Sequence, residues 1–173
     1  DEGDGNRSNF GVHGGVSLAD QGWLHLSAAY RDQAYTNRAG ADLSKPGDVR
    51  YGQVNLRFGE PDSVQRSVFA NGQFNFSDGT EFYVFGGYNN QDVQSAGFWR
   101  SSKDSRNIAS IYPEGFLPLE TSNNQDQSLV VGLRGRLGDD WHWDTSLNHG
   151  ATRFEMHVDN SLNTSIGATS QRS

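Results

Sequence analysis

The chain is patterned with a period of two. From Val68 the even positions run Val68, Ala70, Gly72, Phe74 and Phe76, while Asn71, Gln73 and Asn75 take odd ones. That alternation marks a strand meeting two different environments. Ser77-Asp78-Gly79 is a turn signal, and past it Phe82, Val84, Gly86 and Tyr88 are again even, so the arms predict a hairpin with one apolar face. Phe69, Tyr83 and Phe85 interrupt the polar phase. The same reading predicts four more strands. Asn9–Ala19 carries Phe10, Val12, Val16 and Leu18 in phase, and Trp23–Arg31 sets Leu24, Leu26, Ala28 and Tyr30 against His25, Ser27 and Arg31. Ser128–Leu137 has Leu129, Val131, Leu133 and Leu137 in one phase, and Trp141–Phe154 has Trp141, Trp143 and Leu147. Phe154, Met156 and Val158 fall in the opposite phase, which predicts a bulge or a departure from the sheet.

The connections alternate. Tight turns centre on Gln21, Asp78 and Asp139, whereas residues 36–63 and 91–127 read as long polar connections and a third long segment starts at Asp159. Tyr51–Phe58 within the first could form a short strand. Long loops at one end, tight turns at the other, and strands with one apolar and one polar, glycine-rich face describe the wall of a bacterial outer-membrane β-barrel. On a lipid-facing phase a mid-membrane Arg or Lys costs roughly 2–4 kcal/mol. The expected lipid phase avoids them: Arg134, Arg136 and Asp144 take the other phase, and Asp32, Arg66 and Arg153 are expected near strand ends on the long-loop side. Trp23, Tyr30, Tyr88, Trp141 and Trp143 lie near ends as well, where aromatic girdles form.

Composition changes this picture little. Of 173 residues 34% are hydrophobic, too few for an ordinary core, yet 12% are aromatic, which argues against disorder. A net charge of −7 disfavours nucleic acid as a partner, and without cysteine there is no disulfide framework, thiolate site or thiol nucleophile. No run approaches the roughly 20 apolar residues of a membrane helix, but a spanning strand needs only about 9–11. The N-terminal Asp1-Glu2-Gly3-Asp4-Gly5 is no signal peptide.

Four stretches taken in order carry a family resemblance: Gly22–Asp42 (GWLHLSAAYRDQAYTNRAGAD), Ser95–Arg100 (SAGFWR), Arg106–Leu119 (RNIASIYPEGFLPL) and Val158–Ser170 (VDNSLNTSIGATS). Over nearly the whole chain the sequence resembles the barrel of TonB-dependent outer-membrane receptors of Gram-negative bacteria. The resemblance implies a 22-stranded barrel plugged by an N-terminal globular domain, importing scarce nutrients with energy delivered by the TonB complex. Six strands and no plug make residues 1–173 an expected partial barrel domain, a segment of a longer protein. Ferric siderophores are the implied default substrate and oligosaccharides the next. A soluble β-sandwich or adhesin-like binding module and a passive porin-like channel are the alternatives.

The expected ligand contacts lie in the second long connection. Tyr112, Phe116 and the neighbouring prolines make a rigid surface in a loop rich in Asn and Ser, Trp99 and Arg100 can stack on and pair with a ligand, and Arg106 and Asn107 share the stretch. The competing reading is that these aromatics anchor the loop to the rim. Arg134, Arg136 and Asp144 are candidates to face a plug, or to pair with one another across the last two strands. The five histidines form no ligand spacing, and Gly132–Gly138 opens no helix and so is no phosphate loop. No catalytic constellation, metal site or cofactor site is expected, and the chain is not read as an enzyme.

Overall fold

The computed structural model describes residues 3–172, and they form an all-β, antiparallel structure. Six strands make one sheet in sequence order: β1 (Arg7–Ser17), β2 (Gly22–Gln33), β3 (Asp62–Asn75), β4 (Glu81–Ala96), β7 (Leu119–Leu137) and β8 (Trp141–Asp159). Two-residue strands β5 (Arg100–Ser101) and β6 (Gly115–Phe116) pair with each other inside the connection between β4 and β7. Every neighbouring pair in the large sheet is an antiparallel meander connection, so no crossover is needed.

The expected hairpin is present in the expected phase. Phe74 stands opposite Phe82, Gly72 opposite Val84, Ala70 opposite Gly86 and Val68 opposite Tyr88. The register extends this face over the whole sheet: Val12 lies beside Ala28, then Val68, Tyr88, Gln127 and Ala151, and Val16 beside Leu24, Gly72, Val84, Val131 and Leu147. Its large side chains are mostly exposed, among them Phe10, Leu26, Val68, Leu137, Trp141 and Leu147. Trp23 departs from the expected girdle, because its odd position puts it on the polar face opposite Gln73.

The tight turns close as the sequence predicts. Phe76 N–H donates to Thr80 O at 2.8 Å, Thr80 N–H to the Asp78 carboxylate at 2.9 Å, and Gly79 supplies a positive φ of 82°. Gly138, with φ 70°, does the same between β7 and β8.

Three expectations about the strands are corrected. The β7–β8 register runs without interruption from Leu119–Asp159 to Leu137–Trp141, so there is no bulge at Phe154. The change of phase is a change of surroundings along one straight strand. Residues 119–127, expected as loop, belong to β7, and β4 continues to Ala96. That stretch is polar on both faces and has no alternation to read. Side-chain bonds between neighbouring strands support it instead: Asn123 Nδ2 to Asp92 at 2.6 Å, Thr152 Oγ1 to Asp126 at 2.8 Å and Thr121 Oγ1 to Asp159 at 2.8 Å. Tyr51–Phe58 is not a strand, although Gln53 and Phe58 accept backbone bonds from Asp42 and Arg38 across the loop.

Candidate functional site

All three long segments, 34–61, 97–118 and 160–172, leave the sheet at one end, and they interlock there. The first folds back on itself through Thr36 N–H to Glu60 O (3.0 Å) and Arg38 N–H to Phe58 O (2.7 Å). Asn37 ties its sides, donating to Leu56 O at 3.0 Å while its own oxygen accepts from Phe58 N–H at 2.9 Å. Asp4, before β1, joins this segment by accepting from Asn37 N–H at 2.7 Å and from the Arg38 guanidinium at 2.8 Å. These two bonds, the backbone one first, hold the Asp4 carboxyl below its ordinary pKa.

Four contacts fasten the first segment to the second. Lys45 Nζ donates to Ser101 Oγ (2.9 Å), Ser102 Oγ to Asp48 (2.9 Å) and Lys103 Nζ to Gly47 O (3.4 Å). Arg50 reaches Glu114 at 3.6 Å while its guanidinium lies 5.4 Å from the centre of the Trp99 ring. The β5–β6 ladder closes the second segment on itself, and Asn107 Nδ2 fans out to the carbonyls of Ser101, Ser102 and Tyr112 at 3.0–3.3 Å. Inside it Tyr112 and Phe116 stack with ring centres 4.5 Å apart. They are 7% and 5% exposed, the only buried large apolar side chains among the described residues, so the chain's small core lies in its loops and not on its sheet.

The tail completes the block. Tyr112 Oη donates to Ser161 O at 3.3 Å, Asn160 Nδ2 to Leu117 O at 2.6 Å, and Arg172 lies 4.7 Å from the Tyr112 ring and donates to Ile111 O.

Of the expected ligand contacts, most are used internally. Tyr112 and Phe116 form the core, Asn107 is the clamp, Trp99 lies beside Arg50, and Arg106 makes a two-pronged pair with Asp104 at 3.0 Å on each prong. That pair, with the Arg106 side-chain bonds first among its causes, lowers the Asp104 pKa to about 2. Arg100 is different: it is half-buried, and among the described residues its guanidinium makes no hydrogen bond or ion pair. Lys45, Asp48, Arg50 and Asn55, which order the first segment, were not anticipated. Asn55 is buried, with its oxygen accepting from Arg50 Nε at 2.9 Å. Nothing in a single polar stretch announces partners more than fifty residues away.

The other candidates lie on the polar face near the tight turns. Arg134 stands between two acids in register, Glu81 on β4 and Asp144 on β8. It takes Glu81 at 2.6 Å and Gln73 Oε1 at 3.1 Å, while Tyr83 Oη donates to Asp144 at 2.7 Å. The expected Arg134–Asp144 pair therefore does not form, because each group has a partner on β4. Arg136 faces His142 in register and makes no ion pair among the described residues. No group of three His, Cys, Asp or Glu that could hold a metal ion occurs among the described residues.

Fold and site together define an all-β chain: a single-layer antiparallel meander that carries a consolidated block of three loops at one end. No family model, curated protein or solved structure matches it.

Proposed function

We propose that the chain is part of the barrel wall of a TonB-dependent receptor in a bacterial outer membrane, importing a bulky, scarce nutrient. One observation carries this reading. On the apolar face, charge enters within the same two neighbouring rows on every strand that bears it. Arg66 and Arg153 share one row, Tyr30–Arg66–Asn90–Gln125–Arg153, and Asp32, Asp92 and Glu155 share the next, Asp32–Val64–Asp92–Asn123–Glu155. From there to the tight turns that face has no Asp, Glu, Lys or Arg.

The stretches whose apolar face is free of charge, Gln127–Leu137 on β7 and Trp141–Ala151 on β8, have the about 9–11 residues a tilted strand needs to cross hydrocarbon, with Arg134, Arg136 and Asp144 all on the opposite face. A straight polarity boundary over neighbouring strands suits a planar interface between lipid and water, and β4, β7 and β8 continue beyond it as a projecting wall. Tyr30 sits in the boundary row itself, Tyr88 one row inside it, and Trp141 and Trp143 at the opposite margin, where girdle aromatics belong. The loop block then stands outside the cell as a rigid rim that presents Arg100 to a ligand. The substrate is a ferric siderophore by default and an oligosaccharide next, and the TonB complex acts through a plug domain. No side chain in this reading does covalent chemistry.

The test is uptake in a strain lacking the gene, supplied with the intact gene and with or without an energised TonB complex. Accumulation of ferric chelates or oligosaccharides is expected only when both are present. Uptake that continues without TonB would leave a passive channel, and extraction from cells without detergent would overturn the membrane placement.

A further inference from the structure

The aromatic residues that interrupt the polar phase gather on one patch of that face. Register places Trp23, Gln73 and Tyr83 side by side in one row, with Asn71 and Phe85 paired in the next and Phe69 in the row beyond. Tyr83 and Phe85 stack nearly parallel, 12° apart with centres at 6.4 Å. Phe69 lies along Gly87, where an added Cβ would come within 3.0 Å of its ring. Trp23, Phe69 and Phe85 are 42–44% exposed, although they share a face with amides and hydroxyls.

Asn71 stands directly opposite Phe85, and its amide makes no hydrogen bond among the described residues, leaving two donors and an acceptor beside a bare ring. Gln73 stands opposite Tyr83, its oxygen accepting from Arg134 at 3.1 Å and its amide nitrogen donating to Asn75 Oδ1 at 2.9 Å, which leaves one N–H for a ligand. The six residues carry no formal charge; the Asp144 carboxylate accepts from Tyr83 Oη at 2.7 Å, and the nearest cation, Arg134, is paired with Glu81 at 2.6 Å.

Flat apolar surfaces alternating with neutral amides fit a ligand with apolar C–H faces and a rim of hydroxyls. That is a pyranose. A carboxylate or phosphate would find no unpaired cation there. We propose that this patch is a track for a neutral oligosaccharide, with sugar rings stacked on Trp23, Phe69 and Phe85 and their hydroxyls bonded to Asn71 and Gln73. The proposal rests on the receptor reading, in that the polar face then lines the path of the substrate, and it chooses the oligosaccharide over the anionic chelate.

The experiment uses the full-length protein in detergent. It is titrated with maltohexaose, cellohexaose and xylohexaose as neutral probes and with hexagalacturonate as an anionic one, by calorimetry and by tryptophan fluorescence. At least one neutral hexaose is expected to bind and to change the emission, with hexagalacturonate weaker by tenfold or more. Phe69→Leu and Phe85→Leu keep apolar volume and remove the flat ring, so each should weaken binding about tenfold, while Phe154→Leu, on the same face outside the track, should not. Absence of binding by all three neutral probes, an affinity unchanged from the parent protein in Phe69→Leu and Phe85→Leu, or a preference for hexagalacturonate would overturn the track. A polypeptide segment packed over the patch would show itself as the first of these outcomes. Sugar binding that survives in a protein whose uptake ignores TonB would overturn the receptor reading instead.

Discussion

Gly115 carries two demands that only glycine meets, a φ of +98° and an approach so close that a Cβ would lie 2.3 Å from Arg100 O. Gly115→Ala should therefore cost at least about 2 kcal/mol of local stability. It should open residues 97–118 to limited proteolysis, because β6 and the Tyr112–Phe116 stack depend on that turn. Asp104 offers a second test. Its folded pKa is lowered from 3.8 to about 2, so its contribution is complete above roughly pH 4 and fades as pH falls towards 2. Arg106→Ala removes the largest cause. Acid-induced hydrogen exchange at Ser101–Tyr112 should then begin at a higher pH than in the parent, and an unchanged onset would show that the pair contributes nothing there. This scale was the least legible in sequence. The loop aromatics were readable as ligand platforms or as anchors, and what decides for Tyr112 is Ser161 and Arg172, both remote in the chain.

Strands were legible where one face differs from the other. In Val68–Phe76 and Phe82–Tyr88 the even positions are apolar or small throughout, interrupted on the other face only by Phe69, Tyr83 and Phe85, and their register follows, since a slip by one residue would exchange the faces. Residues 119–127 have polar side chains on both faces, so their strand was invisible until neighbours supplied Asp92 and Thr152 as partners. Glycine spacing holds information of another kind. At Gly86 a Cβ would lie 2.3 Å from Ser128 O and 3.0 Å from Leu129 Cα, both backbone atoms of the adjacent strand. Gly86→Ala must push β4 from β7 and is expected to destabilise the folded protein by about 2–4 kcal/mol in urea titration. Gly14→Ala is the control: on the same row of the same face, its Cβ would meet nothing within 4 Å. Equal effects from the two would mean that the close approach of β4 and β7 is not what constrains Gly86.

At the scale of the molecule, the question is what covers an apolar face that no other element of the described chain covers. Besides the six-stranded sheet the described residues form the two-residue β5–β6 ladder, which belongs to the loop block, and two short 3-10 helices, Ala19–Gln21 and Thr164–Thr169. Alternation made this face legible, and the level at which charge enters it emerged only when register aligned Arg66 with Arg153 and Asp32 with Asp92 and Glu155. Lipid and a second protein layer both shield apolar side chains, but they differ in how they treat a charge. Leu147 is 73% exposed and stands in the uncharged band beside Val131, while Ser146 points to the opposite face beside Gly132. In hydrocarbon, Leu147→Arg should cost roughly 2–4 kcal/mol and Ser146→Arg much less. For the full-length protein refolded into lipid vesicles, urea titration should show that asymmetry. In a water-soluble module with Leu147 on its surface, the same substitution falls within about 0.5 kcal/mol of neutral. Equal, small effects at both positions would remove lipid as the partner of this face, and with it the membrane reading.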